Sequence, residues 1–306
     1  MIHNCDCIEG MKKLPANSVD CCITSPPYLG LRDYGVDGQI GNEGSVQEYI
    51  DNMVSVFSEV YRVLKPTGTL WLNIGDSYNG SGKGGSCYPD NAKKYKQGTN
   101  KGCINNIVKT KIYPGFRNKE LIGIPWKLAF SLKEKSGWLL RQDIIWSKPN
   151  PMPESVTDRC TKAHEYIFLF SKQGDYYFNS EAIKEESVEF KVKRNRCESR
   201  HAHERIKHIS DNFRDLRPTR NKRDVWTIPV AHNKFGHFAT FPEELVANCI
   251  KAGCPEGGLV LDPFAGSGTT GVVACKLGRQ FVGYEINPEY VAMANQRINQ
   301  EVGMFK

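Results

Sequence analysis

The chain has 306 residues, 40% hydrophobic and 25% charged, and a formal net charge of +7. That length suits one large α/β domain with a smaller appendage. No apolar run approaches the roughly 20 residues that a membrane-spanning helix requires, and Met1-Ile2-His3-Asn4-Cys5-Asp6 lacks the basic start and apolar centre of a secretory signal. A cytoplasmic protein is expected. The 11 cysteines are odd in number and follow no framework spacing, so they read as free thiols and not as a disulfide scaffold.

In chain order, Ile2–Cys5 reads as a short strand ending at Asp6, followed by a helix over Cys7–Lys13. Val19–Thr24 is the next strand and runs into the turn Ser25-Pro26-Pro27-Tyr28. Val46–Leu64 has helical periodicity and stops at Lys65-Pro66-Thr67-Gly68. Thr69–Ile74 has the composition of a buried strand. Asn79–Gly115, rich in Gly, Lys, Asn and Ser, reads as a long mobile loop, and a loop of that length inside a compact domain is usually functional or disordered. Glu120–Lys135 is expected to be a helix with Pro125 in its first turn, and Trp138–Trp146 and Glu165–Phe170 are further strands.

Glu181–Asn233 is polar, basic and poorly periodic, as an insertion or second domain would be. A helix over Glu243–Ala252, a strand over Leu259–Leu261, a helix over Thr269–Leu277, a strand over Gln280–Tyr284 and a helix over Pro288–Gln300 complete the chain. Strands alternating with helices specify an α/β fold, a doubly wound and mainly parallel sheet covered on both faces. The natural division is 1–180 (including a basic loop, 79–119), an inserted region 181–234, and 235–306.

The positive charge is concentrated. Between Lys83 and Lys119 nine basic residues, among them Lys93, Lys94 and Lys96, face a single acid, Asp90. A second basic stretch, diluted by acids, includes Arg196, Arg200, Arg214 and Arg217. On charge alone, a solvated loop surface and phosphate contact with a polyanion such as double-stranded DNA both stay open for each stretch. Cys197, His201, His203 and His208 lie near one another in sequence but lack paired Cys-x-x-Cys spacing, so no metal is expected.

Two strand-to-turn junctions carry the chemistry. Asp262-Pro263-Phe264-Ala265-Gly266-Ser267-Gly268-Thr269-Thr270 is a glycine-rich turn feeding a helix, where backbone amides and the helix dipole suit the polar end of a cofactor. Gly266 to Gly271 also matches G-x-G-x-x-G, with Glu285 downstream placed to bind ribose hydroxyls. Only Ile286–Lys306 follow, too little for the rest of a dinucleotide fold, and no lysine precedes Thr269 as a P-loop would require. At the other junction, two prolines and a tyrosine stand at a strand's carboxyl end, where open α/β sheets place their chemistry.

With both junctions in view, the chain resembles the permuted (beta-class) amino-DNA methyltransferases of the N4-cytosine/N6-adenine family. In these, a Thr-Ser-Pro-Pro-Tyr motif precedes the recognition region and the cofactor motif comes last. Trp146–Val156, His164–Phe168 and His237–Pro242 resemble further motifs of that family. The resemblance implies a circularly permuted methyltransferase sheet, S-adenosylmethionine as cofactor, and 181–234 as the target-recognition region. It implies cofactor contacts from Phe241, Asp262, Pro263, Phe264, Ala265, Gly266, Ser267, Gly268, Thr269, Thr270, Glu285 and Ile286. Asp6 would accept from the adenine amine, although from local sequence it is equally a helix cap.

The resemblance further implies that Ser25 and the carbonyl of Pro26 accept hydrogens from an exocyclic amine, with Pro26 and Pro27 fixing the backbone. Such an amine is conjugated with its ring and is a poor nucleophile until acceptors localise its lone pair. Tyr28 would stack on the flipped base. No general base is demanded, because the amine can lose its proton after methyl transfer, so His164 and Glu165 read as structural or pocket-wall residues and not as catalysts. In this family Ser-Pro-Pro-Tyr leans to cytosine N4 and Asp-Pro-Pro-Tyr to adenine N6, so N4-methylcytosine is expected, with N6-methyladenine as the alternative. A DNA-binding module with a vestigial site, and an RNA or protein methyltransferase, are the rival classes. A cognate restriction endonuclease is a partner compatible with this resemblance, as is either a monomer or a homodimer.

Overall fold

Val19–Thr24 and Leu70–Ile74 are largely apolar, and strands of that composition need cover on both faces. The computed structural model of the chain describes residues 1–31, 35, 36, 38–80, 112–187, 218–230 and 241–303. Its strands are β1 (Ile2–Asn4), β2 (Val19–Thr24), β3 (Leu64–Ile74), β4 (Leu139–Ser147), β5 (His164–Ser171), β6 (Glu185–Glu186), β7 (Thr219–Arg220), β8 (Val225–Thr227), β9 (Leu259–Asp262) and β10 (Gln280–Glu285). Its α-helices are α1 (Cys7–Met11), α2 (Val46–Val63), α3 (Ile124–Ser136), α4 (Glu243–Gly253), α5 (Thr269–Lys276) and α6 (Pro288–Gly303). No helix among the described residues is long and apolar enough to cross a membrane.

Eight strands form one sheet in the order β1-β10-β9-β2-β3-β5-β4-β8. Neighbours are parallel except where β5 runs against β3 and β4. Side chains alternate between two cores. Cys22, Leu70, Leu72 and Phe168 join residues of α1, α2 and α3; Cys21, Ile23, Trp71 and Leu169 join residues of α4 and α5. The doubly wound, mainly parallel sheet follows from that two-sided burial.

Local chemistry sets the element ends. Ser45 and Glu48 form a reciprocal capping box at the start of α2. Helix α3 starts at Ile124, four residues later than the sequence pattern suggests, because the Asp76 carboxylate accepts from the amides of Gly123 and Ile124. Strand β3 begins at Leu64 and not at Thr69. Pro66 is accommodated in a register shift between the pairs Val19↔Leu64 and Cys21↔Thr69, so no ladder hydrogen bond is asked of it.

The region expected to be a separate insertion is partly sewn into the main sheet. Strand β8 pairs with β4 through Ile145↔Val225, Trp146↔Trp226 and Ser147↔Thr227, and Trp226 is buried. Strands β6 and β7 pair with each other near the segment's two ends. The polarity of the whole stretch hides this short Val-Trp-Thr strand.

Two features of the topology create a site. Strand β9 leads through α5 to β10, whereas β2 leads through α2 to β3 on the other side, so the connections diverge at the carboxyl ends of β9 and β2. That is the switch point where open α/β sheets bind ligands. Because β5 is reversed, its amino end lies at the same edge as the carboxyl ends of β3 and β4.

Candidate active site

The two turns meet through one buried carboxylate. Thr24, the last residue of β2, donates its hydroxyl to Asp262 Oδ1 at 2.6 Å, and Thr270 of α5 donates to Asp262 Oδ2 at 2.6 Å. The Phe264 amide donates to Oδ1 at 3.0 Å. Burial pushes the Asp262 carboxyl up to about 6, against the lowering effect of these three donors. Asp262 thus ties the proline turn to the glycine turn.

In the second turn, Gly266 and Gly268 have φ of 50° and 78°, a left-handed backbone that favours glycine. The Gly266 amide donates to Glu285 Oε2 at 3.0 Å, and the Asn287 amide donates to Oε1 at 2.8 Å. Glu285, at the end of β10, is itself raised by burial. Each of its oxygens retains acceptor capacity beyond these amides.

Both turns open onto a cavity of about 300 Å³. The ends of β1, β9 and β10 contribute Asp6, Pro263, Phe264, Ala265, Gly266, Ser267, Glu285 and Ile286, the start of α5 contributes Thr269 and Thr270, and Phe241 borders it ahead of α4. The ends of β2, β3 and β4 and the start of β5 contribute Ser25, Pro26, Pro27, Tyr28, Asn73, Trp146, Lys148 and Glu165. Among the residues expected to contact a cofactor, Asp262 and Gly268 do not border the cavity. Asp262 turns its oxygens to Thr24 and Thr270, and a side chain on Gly268 would come within 3.0 Å of Ala294.

Asp6 combines a helix cap with a place at the cavity wall. Its Oδ1 accepts from the amides of Ile8 and Glu9 at the start of α1, while the residue borders the cavity. Ser267 Oγ is buried without a hydrogen-bond partner and belongs to the cavity wall. An unpaired hydroxyl, the Glu285 carboxylate and the apolar Phe264 and Ile286 suit a ligand with a sugar and a flat ring.

The opposite end is held by polar contacts that sequence reasoning did not foresee. The Tyr28 hydroxyl donates to Glu165 Oε2 at 2.7 Å, Asn73 Nδ2 donates to the same oxygen at 3.2 Å, and Lys148 pairs with Glu165 Oε1. Burial, then the Glu165 charge, holds the Tyr28 phenol well above its ordinary range. The Tyr49 hydroxyl donates to the Pro27 carbonyl at 2.9 Å and pins the proline turn. Lys148 was visible in the Trp146–Val156 motif, but its pairing across to β5 depends on the antiparallel register. His164 stands edge-on to Tyr166 and does not line the cavity.

The seven basic residues singled out for DNA, Lys93, Lys94, Lys96, Arg196, Arg200, Arg214 and Arg217, lie outside the described residues, as do Cys197, His201, His203 and His208. The base of the first basic loop is described. Buried Asn79 donates to the Phe116 carbonyl and accepts from the Tyr113 amide, holding the two ends of that loop together.

A family model described as DNA methylase, of the N6/N4 type, matches residues 19–296. The chain belongs to this family. Among similar DNA methylases, the type II methyltransferase M.Cfr9I of Citrobacter freundii is 44% identical over 296 residues, covering 97% of this chain and 86% of that relative. M.SmaI of Serratia marcescens is 44% identical over 293 residues, with 96% and 88% covered. Among solved structures, the cytosine-N4-specific PvuII DNA methyltransferase matches with a TM-score of 0.65 at 18% identity, covering 99% of this chain and 90% of its own. TTHA0409, a putative DNA modification methylase from Thermus thermophilus solved with S-adenosyl-L-methionine, matches with a TM-score of 0.57 at 23% identity, covering 98% and 93%. These two likenesses establish the methylase fold.

Proposed function

We propose that this protein is a site-specific type II DNA methyltransferase that transfers a methyl group from S-adenosylmethionine to N4 of a cytosine flipped out of the duplex. The observation that carries the reading is the Thr24–Asp262 hydrogen bond, which locks Ser25-Pro26-Pro27-Tyr28 and the glycine turn onto one cavity. When bound, S-adenosylmethionine supplies an electrophilic methyl group. Glu285 accepts from its ribose hydroxyls, Ser267 and the Gly266 turn hold its polar end, and Phe264 and Ile286 flank its adenine. Ser25 and the Pro26 carbonyl accept the amine hydrogens and localise the nitrogen lone pair. Tyr28 stacks on the extruded base, offsetting part of the unstacking cost of a few kcal/mol.

Ser25 in place of an aspartate supports cytosine over adenine, as does the likeness to a cytosine-N4-specific enzyme. The names and coverage of the M.Cfr9I and M.SmaI relatives support a type II role; a cognate endonuclease and a cytoplasmic location belong to the same reading. The placement of β1 beside β10 supports a permuted chain order. Lys93, Lys94 and Lys96 supply phosphate contacts in this reading, and Arg196, Arg200, Arg214 and Arg217 of the 181–234 region serve target recognition. Long-read sequencing and nucleoside mass spectrometry of DNA from a methylation-deficient host expressing the protein test it. N4-methylcytosine at one short sequence is expected. N6-methyladenine would overturn the base assignment, and unmodified DNA the reading itself.

Glu285→Ala should weaken S-adenosylmethionine binding about 10- to 100-fold, the worth of a hydrogen-bonded charge, while duplex affinity stays near wild type. Calorimetry and a DNA-binding titration read the two separately. Tyr28→Ala removes a base-stacking surface worth about 1–3 kcal/mol. A fluorescent base analogue at the target position should then show less extrahelical base, with a parallel loss of turnover; unchanged fluorescence would remove Tyr28 from base capture.

A further inference from the structure

Glu165 is the centre of a hydrogen-bond chain that ends at the proposed amine acceptor. Because β5 is antiparallel to β3 and β4, with Trp146↔Glu165 and Asn73↔Ile167 in register, its second residue is delivered to the active edge. Glu165 Oε2 accepts hydrogen bonds from the Tyr28 hydroxyl at 2.7 Å and from Asn73 Nδ2 at 3.2 Å. Its Oε1 is ion-paired with Lys148, whose Nζ also lies 4.3 Å from the centre of the Trp146 ring. The Lys148 and Glu165 side chains are only 17% and 15% exposed. Gly75 makes the assembly possible, because a Cβ there would come within 2.7 Å of the Tyr28 ring and 3.4 Å of the Glu165 carboxyl carbon.

The direction of this chain has a chemical consequence. The Tyr28 hydroxyl has one proton and two acceptors in reach, Glu165 Oε2 at 2.7 Å and Asn73 Oδ1 at 3.4 Å, and the shorter contact to Glu165 is the stronger claim on it. The Tyr28 oxygen is then an acceptor toward Ser25, whose Oγ lies 3.5 Å away and donates to it. With its proton turned to Tyr28, Ser25 keeps its lone pairs for the cavity, where the target amine needs an acceptor. Reversing the chain would aim the Ser25 proton at the amine and work against nucleophilic attack. Successive hydrogen bonds in one direction also strengthen each other in a low-dielectric setting.

We propose that Glu165, held by Lys148, is a positioning residue that acts through the Tyr28 hydroxyl to orient Ser25 as an acceptor for the target amine. The inference rests on the methyltransferase reading above. Two substitutions isolate it: Tyr28→Phe keeps the stacking ring and removes the hydroxyl, and Glu165→Gln removes the obligate acceptor.

Single-turnover transfer of labelled methyl from S-adenosylmethionine to duplex DNA should fall about tenfold or more in each variant, the worth of a hydrogen bond to a charged group. Cofactor affinity, and extrahelical-base fluorescence for Tyr28→Phe, should stay near wild type. The double variant should be little slower than either single one, because Glu165 acts only through that hydroxyl. A general structural role for Glu165 would instead multiply the two losses, and that result overturns the proposal, as does a wild-type rate in either single variant. Should Glu165→Gln fail to fold, Lys148→Met decides the matter: it is expected to slow transfer alone and add nothing to Tyr28→Phe, and multiplied losses overturn the proposal. Wild-type protein that transfers no methyl group to DNA would instead remove the methyltransferase reading.

Discussion

Ser25→Ala should lower the methyl-transfer rate roughly a hundredfold or more, the usual effect of deleting one oriented hydrogen-bond partner from a closed site. S-adenosylmethionine and duplex DNA should still bind with near wild-type affinity. Nothing in the fold depends on the Ser25 hydroxyl as it does on Thr24. Thr24 Oγ1 makes the 2.6 Å bond to Asp262 that joins the two turns, whereas Ser25 Oγ faces the cavity and contacts Tyr28 at 3.5 Å. Rapid-quench single-turnover kinetics, with calorimetry for the cofactor and a gel titration for DNA, separate the two quantities. A rate within a few-fold of wild type would remove Ser25 from the chemistry.

Asp262→Ala is expected to do broader damage. It strips the Thr24 hydroxyl, the Thr270 hydroxyl and the Phe264 amide of their shared acceptor in a site that is 1% exposed. A buried polar group left without a partner costs about 1–3 kcal/mol, so the chain should lose a few kcal/mol of stability and most of its cofactor affinity together. Urea denaturation at constant slope and calorimetry would show both; a stable variant with intact binding would mean that the two turns need no tie.

Asp262 also sets a pH dependence. Its folded-state carboxyl titrates near 6 against an ordinary 3.8, chiefly because it is buried. The folded state therefore holds its proton more tightly than the unfolded state does. The resulting stabilisation is complete below pH 4 and lost as pH rises through 6. From this group alone the loss is about 3 kcal/mol. Asp262→Asn, which keeps an acceptor for Thr24, should flatten that part of the stability curve.

The sequence reading located β2, β9 and β10 to within a residue at each end, since each is a short apolar run closed by a turn. It also gave Ile2–Cys5 as a short strand, and β1 (Ile2–Asn4) pairs with β10 through Asn4↔Glu285. From the sequence, Glu165 reads as a structural or pocket-wall residue, because the reaction demands no general base. Its importance comes from Tyr28, Asn73 and Lys148, which lie 137, 92 and 17 positions away along the chain. The strand Val225–Thr227 was missed because three residues inside a basic, polar stretch do not register as a period.

By itself the sequence determined the sheet class, the two turns and the chemistry that their residues suit. Those are local properties: apolar runs closed by Pro-Pro, or by glycines at left-handed positions such as Gly266 and Gly268. Only the tertiary structure decided which side chains share the cavity. It turned Asp262 inward as a tie, left Asp6 both capping α1 and bordering the cavity, and brought Glu165 to Tyr28. The reason is physical: a hydrogen bond between residues 238 positions apart, such as Thr24 to Asp262, depends on how β2 and β9 lie side by side in the sheet. No period or motif along the chain encodes that adjacency.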